Sequence, residues 1–176
     1  MKITPRSAFI FITIGITIAV DQISKVLVRK YIDLRSETSI GEKISLIGDY
    51  FTMMNVENEG AFLGMGSELN GTLRLILLLI LPIVVLFFVL RHILKDKEMD
   101  KWSLFAFASI IGGGIANVFD RVAFGKVTDF LYIQITDTIR TGIFNLADLS
   151  VTTGMIILVV MMLKNKKKDS IPTTSN

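Results

Sequence analysis

Leu75-Ile76-Leu77-Leu78-Leu79-Ile80-Leu81-Pro82-Ile83-Val84-Val85-Leu86-Phe87-Phe88-Val89-Leu90 is apolar without interruption, with Arg74 before it and Arg91 after it. A run of this kind reads as a helix crossing a lipid bilayer, which takes roughly 17–25 residues. The two arginines can snorkel to the interfaces at its ends. Pro82 inside the run predicts a local irregularity, tolerated where neighbouring groups re-satisfy the freed carbonyl. With no acid or amide in it, this stretch is expected to face lipid rather than carry chemistry.

Working outward, three more apolar blocks complete the pattern, giving approximate spans 7–28, 73–90, 102–121 and 146–163. Four spans in 176 residues, 51% of them hydrophobic, leave little chain for a separate soluble domain. The fold class is therefore a mainly α membrane protein, a single integral membrane domain over 1–176. Trp102 opens the third span, where an indole favours the interface. Ile111-Gly112-Gly113-Gly114-Ile115-Ala116 inside it lets helix backbones approach closely.

The net charge of +3 is no sign of nucleic-acid binding, because the basic residues are sorted by topology. Lys2 and Arg6 precede span one; Arg91, Lys95, Lys97 and Lys101 lie between spans two and three; Lys164, Lys166, Lys167 and Lys168 follow span four. The segment 29–71 is acidic on balance, through residues such as Asp33, Glu42 and Glu57. The positive-inside rule then predicts both termini in the cytoplasm, with 29–71 and 123–145 outside. Span one has a basic start but no small-x-small site around Ala19-Val20-Asp21, so it is expected to be retained. The chain has no cysteine and one histidine, His92, which excludes disulfides and typical zinc sites. The Lys-rich end reads as a solvated tail.

The outer segments have texture. Ile44-Ser45-Leu46 and Phe51-Thr52-Met53 alternate with a period of two about a Gly48-Asp49 turn, and Leu131, Ile133 and Ile135 alternate with polar residues. These predict a small extracytoplasmic β-rich cradle on a helical bundle. Ala61-Phe62-Leu63-Gly64-Met65, apolar outside the spans, suits a membrane surface or groove.

The polar residues in and beside the spans carry the functional argument, since ionisable groups near a bilayer are costly. Asp21 and Lys25 stand four apart on one helix face. Asn117, Asp120 and Arg121 fall at i, i+3 and i+4 and are expected to share a face. Asp129 and Asp148 return to the same end of the bundle from either side of the 123–145 segment. Two carboxylates able to share a proton can activate water. Asn145 and Asp148 also fit a helix N-cap and its first turn, a structural role open beside the chemical one. No His-Glu-x-x-His or Gly-x-Ser-x-Gly is present, and Ser24 and Lys25 point to different faces.

Five motifs in order resemble the lipoprotein signal peptidases, or signal peptidase II, bacterial membrane aspartic proteases. They are Asp21-Gln22-Ile23-Ser24-Lys25, Asn58-Glu59-Gly60-Ala61-Phe62, Asn117-Val118-Phe119-Asp120-Arg121, Gly125-Lys126-Val127-Thr128-Asp129-Phe130 and Phe144-Asn145-Leu146-Ala147-Asp148. The resemblance implies an endopeptidase that removes the signal peptide of a prolipoprotein by cleaving before its diacylglyceryl-modified cysteine. It implies Asp129 and Asp148 as catalytic residues and Asn58, Asn117, Arg121 and Asn145 as substrate-binding ones. Asp21, Lys25, Gly60 and Asp120 would be supporting residues, and the segment near Asn58 a lid. It further implies no cofactor and no metal, lipid-modified prolipoprotein substrates, membrane lipids as surroundings, no nucleic acid, and a monomer. The place would be the bacterial cytoplasmic (inner) membrane, crossed several times, with the active site near the outer leaflet. The family's usual Asn-x-Gly-Ala-Ala-Phe is one alanine short here, at Gly60-Ala61-Phe62-Leu63, and Ala116 stands where a glycine is common. Two rival readings of the same residues are a small proton-coupled membrane transporter, with Asp21, Lys25, Asp129 and Asp148 as a relay, and a non-catalytic assembly protein.

Overall fold

The computed structural model describes residues 4–36, 38–60 and 70–169. Its elements follow the order α1 (Pro5–Tyr31), β1 (Leu34–Arg35), β2 (Lys43–Ile47), β3 (Phe51–Asn58), α2 (Gly71–Lys95), α3 (Lys101–Phe124), β4 (Val127–Ile133) and α4 (Leu146–Asp169). Four helices are long and apolar enough to cross a membrane: α1, α2, α3 and the part of α4 over Leu146–Lys166. The apolar Ala61–Met65 segment, and with it the shortened motif at Ala61-Phe62-Leu63, lies outside the described residues.

Helix α3 is the centre of the bundle. A Cβ added at Gly112 would meet the Thr17 side chain of α1 at 2.7 Å, and one at Gly113 would meet the Ala147 carbonyl of α4 at 2.4 Å. The glycines are what bring α1 and α4 against α3, the close approach that small residues give in a membrane. Ile10, Ile14, Ile93, Leu104, Ala108 and Ile111 form the packed apolar centre. Helix α2 gives this core Ile93 near its end, with Leu86, Val89 and Leu90 packed against the cluster, while none of its most apolar stretch is buried. Five residues just before Pro82, Ile76–Ile80, form a π-helical turn. That is the irregularity the proline predicts, placed where its missing N–H and its ring disturb the preceding turn.

Gly125 ends α3 in the left-handed conformation (φ 75°), its N–H bonded to the Arg121 carbonyl. A side chain there would be strained, and the turn it permits sends the chain directly into β4. Strand β3 is central in a four-stranded sheet: β4 lies antiparallel on one edge, and antiparallel β2 and parallel β1 follow one another along the other. The β2–β3 turn contains Gly48, at φ 50°. The fourth strand differs from expectation. It covers Val127–Ile133 rather than the alternating Leu131–Ile135, and Ile135 is exposed. The reason is burial on both sides, which hides alternation: Val127 to Leu131 are all buried.

One irregularity in β4 sets the direction of Asp129. The N–H groups of Phe130 and Leu131 both bond to the Phe144 carbonyl, at 3.0 and 2.8 Å, so two residues oppose one. This is a β-bulge, which re-aims the side chains beside it. Phe130 and Leu131 both enter the apolar cluster of Val28 and Ile32 beneath the sheet. Asp129, just before the bulge, and Tyr132, just after it, each line a pocket that Ile143 also lines.

Candidate active site

Two polar centres lie at the sheet end of the bundle, and Asn117 joins them. The first surrounds Lys25, which is fully buried. Its ammonium contacts Asp21 at 2.8 Å, Asp120 at 2.9 Å and the Asn117 side-chain oxygen at 2.8 Å. An ammonium has three protons, and here each has an acceptor. The remaining oxygens are also occupied. Asp21 accepts the Ala147 N–H at 2.8 Å, and Asp120 accepts from Gln22 at 2.9 Å. The cluster therefore ties α1 and α3 to the first turn of α4.

The second centre holds Asp129, buried to 3% exposure on β4, and Asp148 in the first turn of α4. Asn145 bridges the pair. Its side-chain amide donates to Asp129 at 2.6 Å, while its backbone N–H donates to Asp148 at 3.3 Å. Its side-chain oxygen in turn accepts the Asp148 N–H at 2.9 Å. The reciprocal pair is a capping box with an acid at its third position. Capping and chemistry are thus not alternatives here: the N-cap that starts α4 also fixes both carboxylates.

Neutral amides complete the arrangement. Asn58, at the end of β3, donates to Asp129 at 2.8 Å, and Asn117 donates to Asp148 at 2.8 Å. Asn117 thereby links the Lys25 cluster to the carboxylate pair through one side chain. Arg121 donates to the Gly60 carbonyl at 2.7 Å and to the Asn117 carbonyl at 3.2 Å. Gly60 is held at both ends, since its N–H bonds to the Asn58 side chain at 2.9 Å. The Nε of Arg121 is buried with no partner among the described residues.

Asp129 and Asp148 line one pocket with Asn58, Asn117, Arg121 and Ile143. Its volume is about 20 Å³, room for roughly one water molecule. Burial pushes the Asp129 carboxyl up to about 6, against the hydrogen bond from Asn58, and the nearby Asp148 charge pushes the same way. The pair can therefore hold a proton near neutral pH without a metal. Among the described residues no group of three His, Cys, Asp or Glu side chains is arranged to bind one.

The shared face of Asn117, Asp120 and Arg121 divides at Asn117: with Asp120 it meets Lys25, and with Arg121 it lines the pocket, while Asp120 and Arg121 turn apart. Helical spacing puts i and i+3 side by side, but α1 packs on one side of that strip and the pocket opens on the other. Gln22 and Ile143 are participants that sequence reasoning did not single out. Gln22 lies within a quoted motif beside Asp21; Ile143 carries no signal, being an aliphatic residue in a loop.

Residues 13–164 match the signal peptidase (SPase) II family. This chain belongs to that family. The lipoprotein signal peptidase of Borrelia duttonii (strain Ly) is 37% identical over 164 residues, covering 90% of this chain and 92% of its own. The lipoprotein signal peptidase of Pseudomonas syringae pv. tomato is 33% identical, with 92% and 89% covered. In fold, the chain is similar to a bacterial membrane enzyme solved in meso at 2.3 Å, with a TM-score of 0.77, 24% identity, and 96% and 95% coverage. The protein is thus a multi-pass membrane peptidase of the signal peptidase II family. Nothing in these comparisons favours a transporter.

Proposed function

We propose that this peptidase removes the signal peptide of prolipoproteins by cleaving before the diacylglyceryl-modified cysteine, with Asp129 and Asp148 as its catalytic pair. The observation that supports this reading is one small pocket lined by two carboxylates, each bonded, among the described residues, by asparagines. A water in that pocket touches both acids. One ionised carboxylate takes its proton while the protonated partner donates to the scissile carbonyl oxygen. The tetrahedral species then collapses as the acid protonates the leaving amine. Asp129, with its raised pKa, suits the role of proton holder.

Asn58, Asn117, Arg121 and Asn145 act as the substrate-binding and orienting groups, Arg121 through its hold on the Gly60 and Asn117 carbonyls. Asp21, Lys25, Asp120 and Gly60 support the site. The enzyme works as a monomer and as one integral domain, with membrane lipids around it. The basic residues Arg6, Arg91, Lys95, Lys97, Lys101, Lys164 and Lys166, at the helix ends away from the sheet, support cytoplasmic termini in a bacterial inner membrane and a catalytic pair near the outer leaflet.

The test is single-turnover cleavage of a diacylglyceryl-modified prolipoprotein by Asp129→Asn, Asp148→Asn and the double variant. Each single variant should lose about three or more orders of magnitude, and the double should be scarcely worse, because the pair acts as a unit. Additive losses, or robust cleavage by a folded single variant, would remove the catalytic pair from the account.

A further inference from the structure

The outer sheet carries a second pocket, of about 370 Å³, whose lining includes Arg35, Lys43, Tyr132 and Gln134, with buried Met54 as its floor. Ile143 lines both this pocket and that of the two aspartates, so the pockets are neighbours. The sheet register gives the spacing. Val56 pairs with Asp129 on one side and Arg35 on the other. Two strand spacings separate Arg35 from Asp129, about 10 Å between backbones. Lys43 pairs with Met54, two residues along β3 from Val56, so the two cations sit together where β1 gives way to β2.

Among the described residues no carboxylate lies within ion-pair distance of Arg35 or Lys43, whereas the other rim pairs, Lys126 with Glu57 and Arg74 with Glu59, are matched. A pocket with an apolar floor, two cations without an ion pair among the described residues and two neutral polar groups is suited to an acidic peptide side chain.

Resting on the peptidase reading above, we propose that this pocket receives the substrate chain just after the cleaved bond. In it, Arg35 and Lys43 select for an acidic residue there. The apolar signal segment of a substrate must stay among the helices, so the mature segment leaves across the sheet. An extended chain advances about 3.3 Å per residue, so the 10 Å from the catalytic pair is spanned by the third or fourth residue after the bond. Arg35 and Lys43 are thus specificity residues that touch substrate but not the reacting atoms.

The experiment is steady-state cleavage of lipidated substrates identical except at the third and fourth residues after the bond, carrying Asp, Asn or Lys. Wild-type enzyme should prefer Asp over Lys by about 3–10-fold, in KM rather than kcat, and high salt should erase the preference, as for exposed charges. In the double variant Arg35→Gln/Lys43→Gln the ratio should fall to about one, and in Arg35→Glu/Lys43→Glu it should invert. Inversion cannot come from misfolding, which lowers both rates together. Equal rates on all three substrates with wild-type enzyme would overturn the proposal. So would a rate that follows the anionic lipid content of the bilayer and ignores the substrate residue, since the cations would then be reading headgroup phosphate. Cleavage of the Asn substrate by wild type separates these outcomes from failure of the peptidase reading itself, which would leave no substrate cut.

Discussion

Four aspartates of this protein, three of them buried and Asp148 half-buried, fall into two centres with opposite designs. Asp21 and Asp120 share the Lys25 ammonium at 2.8 and 2.9 Å and are buried from solvent. Asp129 and Asp148 line one water-sized pocket and, among the described residues, are bonded by amide groups. A carboxylate paired with a buried cation has its charge matched and does structural service. One held by neutral donors beside a like charge can share a proton, which acid–base chemistry requires. The difference teaches that burial of an acid does not mark a catalytic residue; the charge of its partners does.

Breaking the structural centre should have the largest effect on stability. Lys25→Met leaves Asp21 and Asp120 buried without a cation, a loss on the order of 3–5 kcal/mol. Thermal melting in detergent should show a steep fall or no folded protein, and an unchanged melting temperature would mean that this centre is solvated after all.

Arg121→Lys sharpens the comparison by sparing both centres. The guanidinium fork spans the carbonyls of Gly60 and Asn117, which a point-charge ammonium cannot do. Cleavage should drop by about 10–100-fold, the loss of 1.4–3 kcal/mol expected for a charge-assisted bond or two, with melting little altered. Wild-type turnover would reduce Arg121 to an interfacial charge.

A smaller, graded effect follows from the raised pKa of Asp129. The folded protein still holds this proton when the unfolded chain, near 3.8, has lost it. The contribution to stability is therefore fully present below pH 3.8 and is lost as pH rises through about 6. The melting temperature of wild type relative to Asp129→Asn should fall between those values and level off above them, and kcat/KM should decline on the alkaline side with an inflection near pH 6. A difference flat with pH would place Asp129 in a solvated setting.

Much of this was legible in the sequence for a physical reason. Four apolar blocks dictate four spans whatever their packing, and the Gly48-Asp49 turn and Gly125 sit where the backbone needs them. The two aspartates stood out because charge near a bilayer is costly. The unreadable parts are those that depend on distant partners. Which acid finds Lys25 is decided by helix packing between residues about a hundred positions apart, so Asp120 could not be separated from Arg121 by spacing alone. The bulge at Phe130–Leu131 depends on the Phe144 carbonyl, and no local pattern announces it. Asn145 offered two roles on paper, and only the bridge to Asp129 shows that it performs both.

The most direct test sets one aspartate of each centre side by side: Asp120→Asn and Asp129→Asn, each measured for melting in detergent and for single-turnover cleavage per folded molecule. The account predicts that Asp120→Asn melts lower but still cleaves within about tenfold of wild type, as expected of an interaction outside the reacting atoms. Asp129→Asn should remain folded and lose cleavage by about three orders of magnitude or more. A folded Asp129→Asn that cleaves, beside an Asp120→Asn that is folded and inert, would contradict the division of the two centres.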